Sequence, residues 1–212
     1  MTRSFIVRHG RTALSARYIV NGDPTRSISL DDTGQRQCRS VASEPWTSSI
    51  ETCVTSQFER AIESADLILG QTHAWRCTEC SLDEIDYGAF ENGPWMTYGA
   101  WLDANGCLAR PPGARESLNE AAARLVGGLR AALALPGPRL IVGHGLMVSI
   151  LTAARSGGPV FGTRRALPEA PYASPLVFED DELGSLLGLL VAELDQSVAA
   201  SGGMQTPRDV AG

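Results

Sequence analysis

Two stretches of this chain end in the same way. Phe5-Ile6-Val7 runs into Arg8-His9-Gly10-Arg11-Thr12, and Leu140-Ile141-Val142 runs into Gly143-His144-Gly145. Each is a short run of β-preferring apolar residues that stops at an imidazole followed by glycine. A buried strand of this kind delivers its last side chains to the carboxyl edge of a sheet, where open α/β sheets bind ligands. An imidazole placed there is a nucleophile or a proton carrier, and Arg8 beside His9 is a grip for an oxyanion. The chain has three histidines, His9, His73 and His144, and two of them share this setting.

Composition narrows the chemistry. All 18 basic residues are arginine, with no lysine anywhere. Schiff-base catalysis on lysine is therefore excluded, and so are the P-loop and protein-kinase modes of phosphate contact. Anion binding falls to arginine forks, helix N-termini and histidines. Guanidinium suits phosphate because it stays charged and donates two parallel hydrogen bonds. A net charge of -6 argues against nucleic acid or a membrane surface as partner. No apolar run reaches membrane-spanning length, and Met1-Thr2-Arg3-Ser4 leads into a strand rather than an apolar signal segment. The cysteines (Cys38, Cys53, Cys77, Cys80 and Cys107) are odd in number, which predicts free thiols and a cytoplasmic protein.

The elements that must hold these residues alternate. Strands are predicted at 3–8, 51–55, 76–82, 139–143 and 174–179, and helices at 33–44, 59–69, 116–135, 146–155 and 182–197. Residues 92–115, rich in Pro, Gly and Trp, read as a long lid-like loop or small subdomain, and 201–212 as a disordered tail. A hydrophobic share of 43% gives residues 1–200 enough core for one domain. The expected fold class is α/β: a three-layer α/β/α sandwich with a mostly parallel central sheet.

Further motifs follow the first in order: Gly22-Asp23-Pro24, Leu30-Asp31-Asp32-Thr33-Gly34-Gln35, Ser56-Gln57-Phe58-Glu59-Arg60, Leu82-Asp83-Glu84-Ile85-Asp86-Tyr87-Gly88, and Gly113-Ala114-Arg115-Glu116-Ser117. With Arg8-His9-Gly10 and Gly143-His144-Gly145, this series resembles the histidine phosphatase superfamily in its phosphoglycerate-mutase-like branch, over roughly residues 3 to 180. The resemblance implies a phosphomonoester hydrolase acting on a small phosphorylated metabolite through a phosphohistidine. It implies that His9 is the nucleophile, Glu84 the general acid, and His144 a catalytic and phosphate-binding partner. Arg8, Arg60, Gly145 and Ser15 would hold the phosphoryl group, and Arg17, Asn21, Gly22 and Tyr87 would border the substrate. No metal or cofactor is implied, and a homodimer is left open.

Physical chemistry fits these roles. A transferred phosphoryl group passes through a loose transition state that needs an in-line nucleophile, cations on its equatorial oxygens and an acid at the leaving oxygen. Neighbouring guanidiniums disfavour protonation of His9 and keep its lone pair available, while a bound dianion raises the pKa of Glu84. Asp83, Asp86 and Glu116 compete with Glu84 for the acid role. His73, Cys77 and Cys80 offer only three of the four ligands of a closed zinc site.

The chain departs from its relatives at Leu14-Ser15, where they carry Trp-Asn. Ser15 keeps one donor there, with Arg17 as a replacement phosphate contact. Two rival readings remain. Mutase chemistry needs a second anion site, for which 94–115 offers only Arg110 and Arg115, although Tyr87 matches the mutase-like form of its motif. A non-catalytic phospho-ligand binder would lack one of His9, Arg60, Glu84 or His144. The rings of Trp95, Tyr98 and Trp101 either pack the loop or face an apolar leaving group.

Overall fold

The computed structural model describes residues 2–157, 160–161 and 167–202. Strands β1 (Arg3–Arg8), β2 (Thr52–Thr55), β3 (Trp75–Thr78), β4 (Arg139–Gly143) and β5 (Leu176–Glu179) form one sheet in the order β3-β2-β4-β1-β5. The first four pair in parallel, and β5 runs antiparallel along β1. Alternate side chains of each strand leave opposite faces of a sheet. Phe5, Val7, Cys53, Leu140 and Val142 accordingly pack with α1 (Asp32–Val41) and α2 (Glu59–Leu69). Ile6, Val54 and Ile141 pack instead with α4 (Leu118–Leu133), α5 (Gly145–Arg155) and α6 (Asp180–Gly202). The result is a three-layer α/β/α sandwich with a mostly parallel sheet.

This topology positions the site. β1 and β4 are neighbours, yet the helix after β1 lies on one face and the helix after β4 on the other. The chain therefore diverges between their carboxyl ends, and a crevice opens there. Local signals fix the flanking helices. Asp31 caps α1 by accepting from the Gly34 N–H at 2.8 Å. Ser117 and Glu120 close a reciprocal capping box on α4. Gly34 also lets α1 lie against the loop after β1, since a Cβ there would sit 2.1 Å from the Arg11 carbonyl oxygen.

Three expectations are corrected. Residues 92–115 are not wholly irregular, because Trp95–Asn105 forms α3. Its apolar residues lie all round rather than in one stripe: Tyr98 is buried against Tyr87 and Phe90, while Trp95 and Met96 are exposed. No helical periodicity is therefore visible there. β3 ends at Thr78 rather than 82, because the chain turns into a 3-10 turn at Cys80–Leu82. α6 starts directly after β5 and runs to Gly202, past the expected start of the tail; residues 203–212 lie outside the described residues. No helix among the described residues is long and apolar enough to cross a membrane.

Candidate active site

The parallel register places Arg8 opposite Gly143, and the His9 N–H donates to the Gly143 carbonyl at 3.0 Å. The next residue on each strand is thus a histidine, and the two rings stand edge to face with centroids 5.3 Å apart. His9 Nδ1 lies 2.7 Å from the Gly10 carbonyl oxygen. A carbonyl can only accept, so Nδ1 carries the proton and Nε2 presents its lone pair. Arg60 Nε–H donates to that lone pair at 3.1 Å. Burial pushes the His9 pKa well below its ordinary value, and Arg60 and Arg8 push it the same way.

Arg60, in the first turn of α2, is the hub. It donates to Asn21 Oδ1 at 2.7 Å, to the Asn21 carbonyl at 3.0 Å and to His144 Nδ1 at 3.3 Å. Its guanidinium also lies 4.3 Å from the centre of the Phe58 ring. With Nδ1 accepting, His144 carries its proton on Nε2 and donates to Ser56 Oγ at 2.8 Å. Burial first, then Arg60, lowers its pKa as well. The two imidazoles are thus held in opposite neutral tautomers.

Arg8 leans over the Tyr172 ring, 3.8 Å from its centre, and donates to the Ala170 carbonyl at 2.6 Å. Its Nε–H is buried with no acceptor among the described residues. Gly145 opens α5, whose N-cap residue is His144. A Cβ on Gly145 would stand 3.5 Å from the Arg8 guanidinium, in ordinary contact, so the helix start and the arginine lie side by side.

Glu84 Oε2 lies 3.9 Å from His144 Nδ1, and Glu84 Oε1 accepts from the Ile85 N–H at 3.0 Å. Burial raises its pKa, with Arg60 acting against that shift. Its three competitors are engaged elsewhere. Asp83 accepts from the Gln57 backbone and side chain, Asp86 pairs with Arg115, and Glu116 pairs with Arg124. Only Glu84 of the four lines the central cavity. Arg124 of α4 holds the loop that carries it. It donates to the carbonyls of Ser81 at 3.1 Å, Asp83 at 2.9 Å and Glu84 at 3.4 Å, and is gripped by both Glu116 oxygens at 2.6 and 2.9 Å.

Arg8, His9, Arg60, Glu84 and Gly145 border a cavity of about 960 Å³; His144, expected to touch the phosphoryl group, is buried and does not line it, and is linked to the wall through Arg60. Asn21 and Tyr87 also line it. Ser15 reaches the wall, but its hydroxyl is engaged with the Thr12 backbone and side chain. Arg17 is outside the cavity and donates to the Ala13 carbonyl, so it is no substitute phosphate contact in this structure. Gly22 does not line this cavity either. Its N–H donates to Glu91, and a Cβ would sit 1.9 Å from the Ile85 carbonyl oxygen, so it packs the two loops together. Tyr172 and Arg124 carry no spacing signal toward the histidines and emerge only with the fold. Among the described residues, no three His, Cys, Asp or Glu side chains gather as a metal site would require.

The family model for the histidine phosphatase superfamily (branch 1) matches residues 4–182. The protein named uncharacterized phosphatase PhoE from Bacillus subtilis is 32% identical over 160 residues, covering 74% of this chain and 79% of its own. Probable phosphoglycerate mutase GpmB from Proteus mirabilis is 29% identical over 178 residues, covering 78% of this chain and 80% of its own. The solved structure of YhfR from Bacillus stearothermophilus superposes with a TM-score of 0.69 over 84% of this chain and 91% of that one. At 20% identity this last likeness is one of fold.

Proposed function

This chain belongs to the histidine phosphatase superfamily, branch 1, and on that premise we propose that it hydrolyses a small phosphomonoester through a phosphohistidine on His9. One observation carries the reading: Gly10 and Arg60 together fix His9 as a neutral imidazole with its Nε2 lone pair facing the cavity. In the first step Nε2 forms a bond to phosphorus while the bond from phosphorus to the leaving oxygen breaks. Glu84 gives its proton to that oxygen. In the second step water attacks phosphorus, Glu84 takes a proton from the water, and the P–N bond breaks to release inorganic phosphate.

The charges are arranged for that sequence. Arg60 exchanges its bond to His9 Nε2 for a phosphoryl oxygen, and the unpartnered Arg8 Nε–H gains an acceptor. A dianion beside Glu84 raises the pKa of that carboxyl further and keeps it protonated until the alkoxide departs. The guanidiniums supply the positive charge, so turnover is expected to survive a chelator.

A second reading is transfer of the phosphoryl group from His9 to another hydroxyl of a phosphoglycerate, favoured by the mutase names among the relatives. Against it, Arg8 and Arg60 are the cations lining the cavity among the described residues, and both stand at the phosphoryl end. Incubation with p-nitrophenyl phosphate and with a glycerate phosphate, beside His9→Ala, separates the readings. Hydrolysis is supported by phosphate release lost in the variant and by an acid-labile phosphoenzyme in the parent. Positional exchange without net release supports the mutase, and neither outcome overturns both.

A further inference from the structure

The hydrolytic reading, on which this step rests, leaves the alcohol half of the ester undefined. Its location follows from the in-line requirement. With His9 Nε2 on one side of phosphorus and the leaving oxygen on the other, near Glu84, whatever hangs from that oxygen must enter the rest of the cavity. That remainder is lined mainly by apolar side chains, with Asp103, Asn105, Asn119 and Glu169 among them. Tyr98, Leu102, Leu118 and Leu146 form its inner wall. Its mouth is ringed by Tyr18, Met96, Trp95 and Leu108, which are 62%, 71%, 48% and 44% exposed. These four are more than half of the seven large apolar side chains that are exposed among the described residues. Apolar side chains gathered in water round one opening mark a binding surface.

The mouth is also held in place. Val20 N–H donates to the Gly93 carbonyl at 3.0 Å, Asn92 N–H to the Val20 carbonyl at 3.1 Å and Trp95 N–H to the Tyr18 carbonyl at 2.7 Å. This short ladder ties the loop before Asn21 to the start of α3. Tyr18 sits within it at a φ of 55°, a left-handed conformation that costs a bulky side chain free energy. The ladder holds an aromatic ring at the opening in a backbone conformation that glycine would adopt without cost.

We infer that the outer chamber is a subsite for the alcohol moiety, and that it takes a broad, uncharged apolar group, aromatic or of similar width, rather than a polyol or a carboxylate. The volume agrees. A phosphoryl group with a three-carbon polyol fills a small part of about 960 Å³, at the upper end of small-molecule pockets.

The test compares initial rates on ethyl, glycerol and naphthylethyl phosphates. All three are alkyl esters of similar leaving-group acidity, so the comparison reads alcohol binding rather than bond breaking. The parent protein is expected to favour naphthylethyl phosphate in kcat/KM on the order of a hundredfold, mostly through KM. Met96→Glu and Trp95→Ala should each cut that preference about tenfold. Leu189→Glu, an exposed apolar site on α6 away from the cavity, should leave it intact.

Equal rates on the three esters, or a preference for glycerol phosphate, overturn the inference while p-nitrophenyl phosphate turnover still upholds the hydrolase. If no ester turns over, the hydrolytic reading falls. Calorimetric binding of the matching phosphonates then decides the subsite by the same ratio. A mouth that instead joins two copies of the chain would show as a dimer broken by Met96→Glu with the ester preference unchanged, which also overturns the inference.

Discussion

His9 and His144 each hold one proton, on opposite ring nitrogens, because Arg60 donates to one nitrogen of each ring. Long-range proton–nitrogen correlation spectra near neutral pH should report Nδ1–H for His9 and Nε2–H for His144; a shared tautomer would contradict the arrangement. The free-enzyme rate profile follows from the same groups. Neutral His9 is required, and its pKa lies well below 6.5, so the acid limb of kcat/KM should fall below that value. Protonated Glu84 is required, and burial lifts its pKa above 4.5, so the alkaline limb should fall above that. Glu84→Gln should abolish the alkaline limb and slow alkyl esters by about 10² to 10⁴, with a smaller loss on p-nitrophenyl phosphate, whose leaving group needs less help. At this scale the sequence was readable where a strand, a histidine and a glycine coincide. It was not readable at Ser15, whose hydroxyl turns inward to Thr12, or at Tyr172, which meets Arg8 only because the chain returns beside β1.

The acid loop is set by α4. Arg124 accounts for three carbonyls of the Ser81–Glu84 turn, so it acts on the reaction through Glu84 without touching substrate. Arg124→Gln should slow alkyl esters about tenfold or more and p-nitrophenyl phosphate much less, with the alkaline limb displaced and Arg124→Lys recovering part of the rate. A residue that only supports the fold would depress both esters alike. Gly34→Ala probes another contact between elements. Its methyl would meet the Arg11 carbonyl, two residues from His9, and overpacking there should cost about 1 to 3 kcal/mol in denaturant unfolding. The alternation of strands and helices was legible because each element buries a stripe or a face. α3 was not, because Tyr98 packs inward while Trp95 and Met96 stay outside, leaving no polar stripe to reveal the helix. β3 was shortened by a turn whose carbonyls find their partner on α4, a contact that no local pattern encodes.

Across the whole molecule, these buried groups make stability depend on pH with a sign that can be worked out. The folded state holds two neutral histidines whose pKa values are depressed from 6.5. Below 6.5 the unfolded chain takes up protons that the fold refuses, so their contribution to stability is lost as pH falls. Glu84 works the other way. Its folded pKa is raised from 4.5, so the fold holds a proton that the unfolded chain has released, and stability declines as pH rises through that interval. Between roughly pH 5 and 6 the unfolded chain binds more protons at the two histidines, while Glu84, a single carboxyl, lets the fold hold at most one extra. Two sites outweigh one, and unfolding free energy should rise with pH in that window. Glu120, held down to about 2 by Arg110, adds a loss of stability only at still lower pH, below 4.5. Chemical denaturation at a series of pH values measures the slope. A flat or falling curve would mean that the histidines are charged in the fold and that His9 is no ready nucleophile. Saturating inorganic phosphate should raise the midpoint and flatten the slope, because an anion between Arg8 and Arg60 favours a proton on His144 that the empty site rejects.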